Sequence, residues 1–182
     1  MGDIQSKVKV RKELNALLDQ KMPWTDSQAN EKLTRNLLSV LGTASGTWLG
    51  YKAMFREADP QKAIEALGHL RWVWPKMQGQ ELRLFESSQF VQGPYGIWEP
   101  DTTGAIEVKA SELDGVLVPG LGFDVFKSRL GRGRGFYDRL LKGIVGVKIG
   151  VGFDCQILKE KIPTEQHDCR MDILVSEERI WK

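Results

Sequence analysis

In "TDSQANEKLTRNLLSVL", Leu33, Leu37, Val40 and Leu41 recur at helical spacing, and the polar positions between them fall on the opposite face. Thr25 and Gln28 are spaced as a capping box and predict where that helix starts. Upstream, "IQSKVKVRKELNALLDQKM" places Ile4, Val8, Leu14, Leu17 and Leu18 at spacings that fit a first helix. Lys7 and Arg11 share one flank of it, which spacing alone reads as a solvated edge. Shorter apolar runs follow. "GTWLGY" predicts a short buried strand, and Asp59 and Pro60 mark the N-cap and first position of a helix carrying Ala63, Ile64 and Leu67. "LRWVWP" starts another strand, and "ELRLFE" alternates like a half-buried one. "FVQGPYGIWEP" holds so many turn residues that it reads as a loop displaying aromatic groups. "DGVLVPG" suits a strand covered on both faces, "FYDRLL" has helical spacing with Gly143 as a cap, and "IVGVKIGVGF" and "MDILVS" supply two further buried strands.

Helices and apolar strands therefore alternate, the order of an α/β fold with a mainly parallel sheet between helices and ligands beyond the carboxyl ends of its strands. With no internal repeat, low-complexity tract or long linker, residues 1–182 are expected to form one domain. Lys+Arg is 26 against 24 for Asp+Glu, so the net charge of +2 gives no reason to expect a polyanion-binding surface, and any cationic site must be local. No basic segment leads into a long apolar stretch, and there are only two cysteines. These features point to a reduced, cytoplasmic protein without membrane attachment. Cys155, His167 and Cys169 lack a fourth ligand and a CxxC knuckle, which disfavours zinc.

The local cationic site is "RLGRGRGFYD", residues 129 to 138, between the apolar "GVLVPGLGF" and "FYDRLL". Gly131, Gly133 and Gly135 allow backbone N–H groups to converge, while Arg129, Arg132 and Arg134 offer planar forks matched to phosphate or carboxylate oxygens. A strand–loop–helix unit of this kind favours an anion. The alternative is a flexible RGG-type RNA-binding segment, but such segments lie in polar disordered tracts. No Ser-His-Asp or Cys-His arrangement and no GxxxxGK[ST] motif is present.

"LVPGLGFDVFKSRLGRGRGFYDRLL" resembles the signature of the 5-formyltetrahydrofolate cyclo-ligase family, and the likeness extends to "KVKVRKEL", "GPYGIWEP" and "QILKEKIPTEQHDCRMDILVSEE", in the same order. The resemblance implies a three-layer Rossmann-like fold. It also implies an ATP- and Mg²⁺-dependent closure of 5-formyltetrahydrofolate to 5,10-methenyltetrahydrofolate, releasing ADP and phosphate through a phosphorylated formyl group. Small molecules are then the partners, nucleic acid is not, and the chain is a monomer or weak homodimer. By the same resemblance, ATP binding falls on Lys7, Arg11, Arg129, Gly131, Arg132, Gly133, Arg134, Gly135, Phe136, Tyr137 and Asp138, with Arg132, Arg134 and Tyr137 catalytic. Magnesium falls on Asp138 and Asp172. The folate falls on Tyr95, Trp98, Glu99 and Tyr137, and on Met54 and Glu57, because "MFRE" stands where the family has a Glu-x-x-Thr-like stretch. Phe136 stands where tyrosine is more usual, and Arg134 where lysine or a small residue is. The alternatives are an altered member that binds ATP and a different folate-like substrate, and, further off, an RNA-binding module.

Overall fold

The computed structural model describes residues 3–165 and 168–182; the side chains of residues 3–6 and of Tyr95 lie outside that description, as does His167. Among the described residues four α-helices form: α1 (Asp3–Lys21), α2 (Ser27–Leu41), α3 (Gln61–Ala66) and α4 (Phe136–Leu141). The first strands are β1 (Thr47–Leu49), β2 (Arg71–Gln78), β3 (Glu81–Glu86), β4 (Phe90–Gln92), β5 (Trp98–Pro100) and β6 (Ile106–Val108). They are followed by β7 (Gly115–Pro119), β8 (Gly122–Asp124), β9 (Arg129–Leu130), β10 (Val147–Val151), β11 (Ile157–Leu158), β12 (Ile173–Val175) and β13 (Ile180–Trp181).

Eight strands make the main sheet, in the order β13-β12-β10-β7-β1-β2-β3-β6. The five from β12 to β2 pair in parallel, and the edges add antiparallel strands. Side chains alternate across it. Trp48, Leu117, Ile149 and Val175 pack against Leu33, Leu37 and Leu41 of α2 and Ala63 and Ile64 of α3. Leu49, Val116, Val118 and Leu174 face Leu141 of α4 and Phe123 on the other side. The expected mainly parallel sheet with helices on both faces is what forms. From β1 the chain moves to β2 on one side, and from β7 to β10 and β12 on the other, so the order reverses between β1 and β7. In an open parallel sheet, a crevice opens at the carboxyl ends of the strands flanking such a reversal.

Four local expectations are corrected. Asp26, rather than Thr25, caps α2, its carboxylate accepting from the N–H groups of Gln28 and Ala29, while Thr25 Oγ1 is committed to Met22 O. Asp59 accepts from Gln61 N–H at 3.0 Å, so α3 begins one residue after Pro60. The segment read as a loop is a hairpin, β4 with β5, in which a turn at Pro94–Gly96 absorbs the turn residues and leaves short extended arms. In α1 the buried face carries Lys7 with Leu14 and Leu18, while Val8 is exposed. Leu14 and Leu18 pack on Leu121, Leu130 and Ile162, which places the basic flank of the helix against the loop after β9 rather than in solvent.

Candidate active site

A cleft of ≈ 330 Å³ opens at the reversal point. The segment after β1 supplies Tyr51, Lys52, Met54 and Glu57; β7 and its turn supply Pro119 and Gly120; the remainder comes from β2, β3, β5 and the loop between β9 and α4. One wall is apolar, built from Pro75, Met77, Leu82, Ile97 and Trp98. The facing wall carries Arg129, Gly131, Arg132, Arg134, Gly135, Phe136, Tyr137 and Asp138. Glycine is needed in that loop because Gly133 has φ +100 and Gly135 φ +69, conformations that side chains rarely adopt. Arg11 reaches up from α1 and donates from Nε to Gly131 O at 2.9 Å, fixing the loop from below. Arg139 fixes the other end, donating to Gln80 O at 3.0 Å and to Arg134 O at 3.2 Å.

The three arginines have different surroundings. Arg129 is buried, donating to Pro119 O and Asp138 Oδ1, each at 2.8 Å, with its guanidinium 5.2 Å from the Tyr137 ring centroid. Burial pushes its pKa down, and Asp138, Tyr137, Glu57 and Asp168 push back. Arg132 donates from Nε to Glu57 Oε1 at 3.1 Å and from Nη2 to Phe55 O at 3.2 Å. Arg134 is exposed on the cleft wall. Burial, with the Glu57 charge adding and Arg129 opposing, raises the Tyr137 pKa far above the phenol value. Its hydroxyl therefore stays protonated and can donate a hydrogen bond, but does not act as a base.

Two carboxylates enter the cleft away from the loop. Glu57, buried, also accepts Met54 N–H at 3.0 Å. Glu99 is 3% exposed and accepts Met77 N–H at 3.1 Å through Oε1. Both positions read from "MFRE" thus line the cleft, and the acidic one is Glu57.

Lys7, Arg11, Gly133 and Asp172, all assigned to the site, are not among the residues that line the cleft. Lys7 does not line the cleft; its Nζ is 2.8 Å from Asp168 Oδ2 and 3.5 Å from Glu165 Oε1. Asp172 lies apart from the cleft. It stands at the amino end of β12, where Oδ2 accepts Lys148 N–H at 2.7 Å, whereas Asp138 lies at the carboxyl ends of the strands. The parallel pairing of β10 with β12 separates the two instead of bringing them to one rim. Asp168, four positions earlier, is the acid brought to α1 and felt by Arg129. Sequence reading missed it, and also missed Tyr51 and Lys52, whose only signal was their place directly after an apolar strand.

The fold and cleft define an α/β protein that presents a glycine-shaped, arginine-bearing loop to an apolar wall at a sheet reversal. Residues 3–177 match the model of the 5-formyltetrahydrofolate cyclo-ligase family, and the chain belongs to that family. The Escherichia coli (strain K12) 5-formyltetrahydrofolate cyclo-ligase is 28% identical over 184 residues, covering 95% of this chain and 99% of that protein. The NMR structure of Aquifex aeolicus 5,10-methenyltetrahydrofolate synthetase has a TM-score of 0.77 at 28% identity, covering 97% of this chain and 92% of that one. A Mycoplasma pneumoniae 5,10-methenyltetrahydrofolate synthetase, 21% identical with a TM-score of 0.73 over 94% of this chain and 99% of that one, supports the fold.

Proposed function

We propose how the cleft performs the ATP-dependent 5-formyltetrahydrofolate cyclo-ligase activity that family membership carries. The formyl oxygen of an amide is a poor leaving group. Transfer of the γ-phosphoryl group to it forms a P–O bond and releases ADP. The N10 lone pair then attacks the formyl carbon, phosphate leaves with that oxygen, and N10 gives up its proton, leaving the methenyl bridge. Such chemistry asks the protein for positioning and neutralisation of oxygens rather than for a nucleophile. The loop from Arg129 to Asp138 takes the phosphates, with Arg132, Arg134 and the Tyr137 hydroxyl as donors to the transferring group. Trp98, Met77 and Ile97 take the pteridine and aryl rings, while Glu57 and Glu99 accept from the pteridine. Tyr95 lies on the turn of the same hairpin.

Mg²⁺ bound with the nucleotide supplies charge neutralisation of the phosphate oxygens. The donor set fits it: Asp138 and Asp168 are hard oxygen ligands whose charges both act on Arg129. Among the described residues no three acidic, imidazole or thiol groups converge; Asp138 and Asp168 would hold the ion together with nucleotide oxygens and water. Lys7 then acts through Asp168, holding it in place.

The single observation that carries this reading is the anion loop facing an apolar wall across one cleft. The inward commitments of Arg129 and Arg132 disfavour the RNA-binding alternative. No described helix is long and apolar enough to cross a membrane. Mixing protein, ATP, Mg²⁺ and 5-formyltetrahydrofolate should raise the absorbance of the methenyl product. No rise, with ATP consumption also absent, overturns the assignment.

A further inference from the structure

Lys52 differs from the arginines of the cleft in what surrounds its charge. Arg129 is matched by Asp138 and Arg132 by Glu57. Lys52 Nζ instead lies 4.7 Å from the Trp74 ring centroid and 4.3 Å from that of Phe90, and donates to the neutral Gln61 Oε1 at 2.7 Å. Asp59 and Glu65 act on it only as more distant charges, and burial outweighs them, lowering the ammonium pKa. A half-buried cation held by two ring faces and an amide gains from an anion entering the cleft it lines.

Of the two substrates, ATP carries its charge on phosphates, for which the loop from Arg129 to Asp138 already supplies donors. The other anionic group is the glutamate moiety of 5-formyltetrahydrofolate, joined to the rings that the apolar wall takes. Lys52 belongs to the segment after β1 and packs on Phe90 of the β4–β5 hairpin, the same hairpin that presents Trp98 to the cleft. We propose that Lys52 is a specificity residue that binds a carboxylate of the substrate's glutamate moiety, an assignment that rests on the cyclo-ligase reading above. A compact ammonium suits a carboxylate that reaches it at variable angles, where a guanidinium fork would demand one plane.

The test compares 5-formyltetrahydrofolate with 5-formyltetrahydropteroate, which lacks the glutamate, in the wild type, Lys52→Gln and Lys52→Arg. In the wild type the intact substrate has the higher kcat/KM. In Lys52→Gln that advantage shrinks about ten- to a hundredfold, the scale of one hydrogen bond to a charged group, mainly through KM for the intact substrate. Lys52→Arg, which keeps the charge but demands one plane of approach, retains part of the advantage, and the KM for ATP is unmoved in both variants. Equal losses on the two substrates in Lys52→Gln, or a loss expressed in the KM for ATP, overturn the proposal alone. No turnover of intact substrate by the wild type overturns the cyclo-ligase reading and this proposal with it.

Discussion

Arg132 donates to Glu57 across 3.1 Å, joining the anion loop to the segment after β1 over 75 positions of sequence. On the proposed function, a phosphate-facing cation and a folate-facing carboxylate therefore form one coupled unit. Arg132→Ala is expected to lower kcat/KM for ATP about a hundredfold, the scale seen when one preorganised donor is removed. It also leaves Glu57 buried without its cation, so the KM for the folate should rise as well. Glu57→Gln should raise the folate KM, and the double variant should lose less than the product of the single losses. Full additivity across the cycle would show that the two residues act independently.

Arg129 has a different role from its neighbours. Its guanidinium holds Pro119, Asp138 and Tyr137 together, and its side chain is buried. Arg129→Met should cost about 3 kcal/mol of stability, because it leaves a carbonyl and a carboxylate without their donor. Chemical denaturation checks this. Arg134→Ala, on the exposed part of the same loop, should leave stability within about 0.5 kcal/mol while slowing turnover. Equal denaturation midpoints for Arg129→Met and the wild type would remove the positioning role.

The sheet was legible because its strands are apolar on both faces and its helices carry one apolar stripe. The loop was legible because three glycines and three arginines in seven positions exceed what a turn needs. What escaped was set by tertiary partners. Lys7 and Arg11 looked like a solvated flank because no local pattern announces that α1 turns them toward Asp168 and Gly131. The β4–β5 hairpin was hidden by Pro94 and Gly96, turn residues that form the tip rather than break the strands. Asp168 and Asp172 lie four apart in one segment, and the parallel pairing of β10 with β12 holds Asp172 at the amino end of the strands while Asp168 turns to Lys7 of α1.

Met54 and Glu57 share a turn, since Glu57 N–H donates to Met54 O at 3.0 Å and Glu57 Oε2 accepts Met54 N–H at the same distance. The acidic position is already filled. Met54→Glu would put a second carboxylate beside a buried one, and like charges in one site oppose each other. The KM for 5-formyltetrahydrofolate should therefore rise about tenfold or more, with the KM for ATP less affected. A lower folate KM in Met54→Glu would show that Glu57 does not serve the pteridine.

Burial, with Glu177 nearby, pushes the Cys155 thiol from 9.0 up to about 11. Raising a thiol pKa lowers the thiolate fraction at any pH below it, and only the thiolate is alkylated. At pH 7.5 Cys155 should react with iodoacetamide at least about a hundredfold more slowly than free cysteine, and its rate should climb about tenfold per pH unit toward pH 11. Peptide mass spectrometry over a pH series measures this. A plateau below pH 9 would mean that the thiol is not shielded as the structure has it.

The placement of the three aspartates gives the metal assignment its sharpest test. Asp138 lines the cleft and Asp168 bears on Arg129, whereas Asp172 holds Lys148 N–H at the far end of the parallel strands. Asp138→Asn and Asp168→Asn should each raise the Mg²⁺ concentration needed for half-maximal rate, and should weaken Mn²⁺ binding measured by electron paramagnetic resonance with ATP present. The double variant should fall short of the product of the single effects, because residues serving one ion are not additive. Asp168→Asn also releases Lys7 and Asp138→Asn leaves Arg129 without its counter-ion, so a loss of thermal stability accompanies both, and the Mn²⁺ binding readout separates the metal effect from it. Asp172→Asn should keep the wild-type metal profile and cost about 1 kcal/mol of stability through the weakened bond to Lys148 N–H. If Asp172→Asn shifts the Mg²⁺ requirement and Asp168→Asn does not, the metal is held at the opposite end of the sheet from the cleft, and the arrangement of phosphates proposed above is wrong.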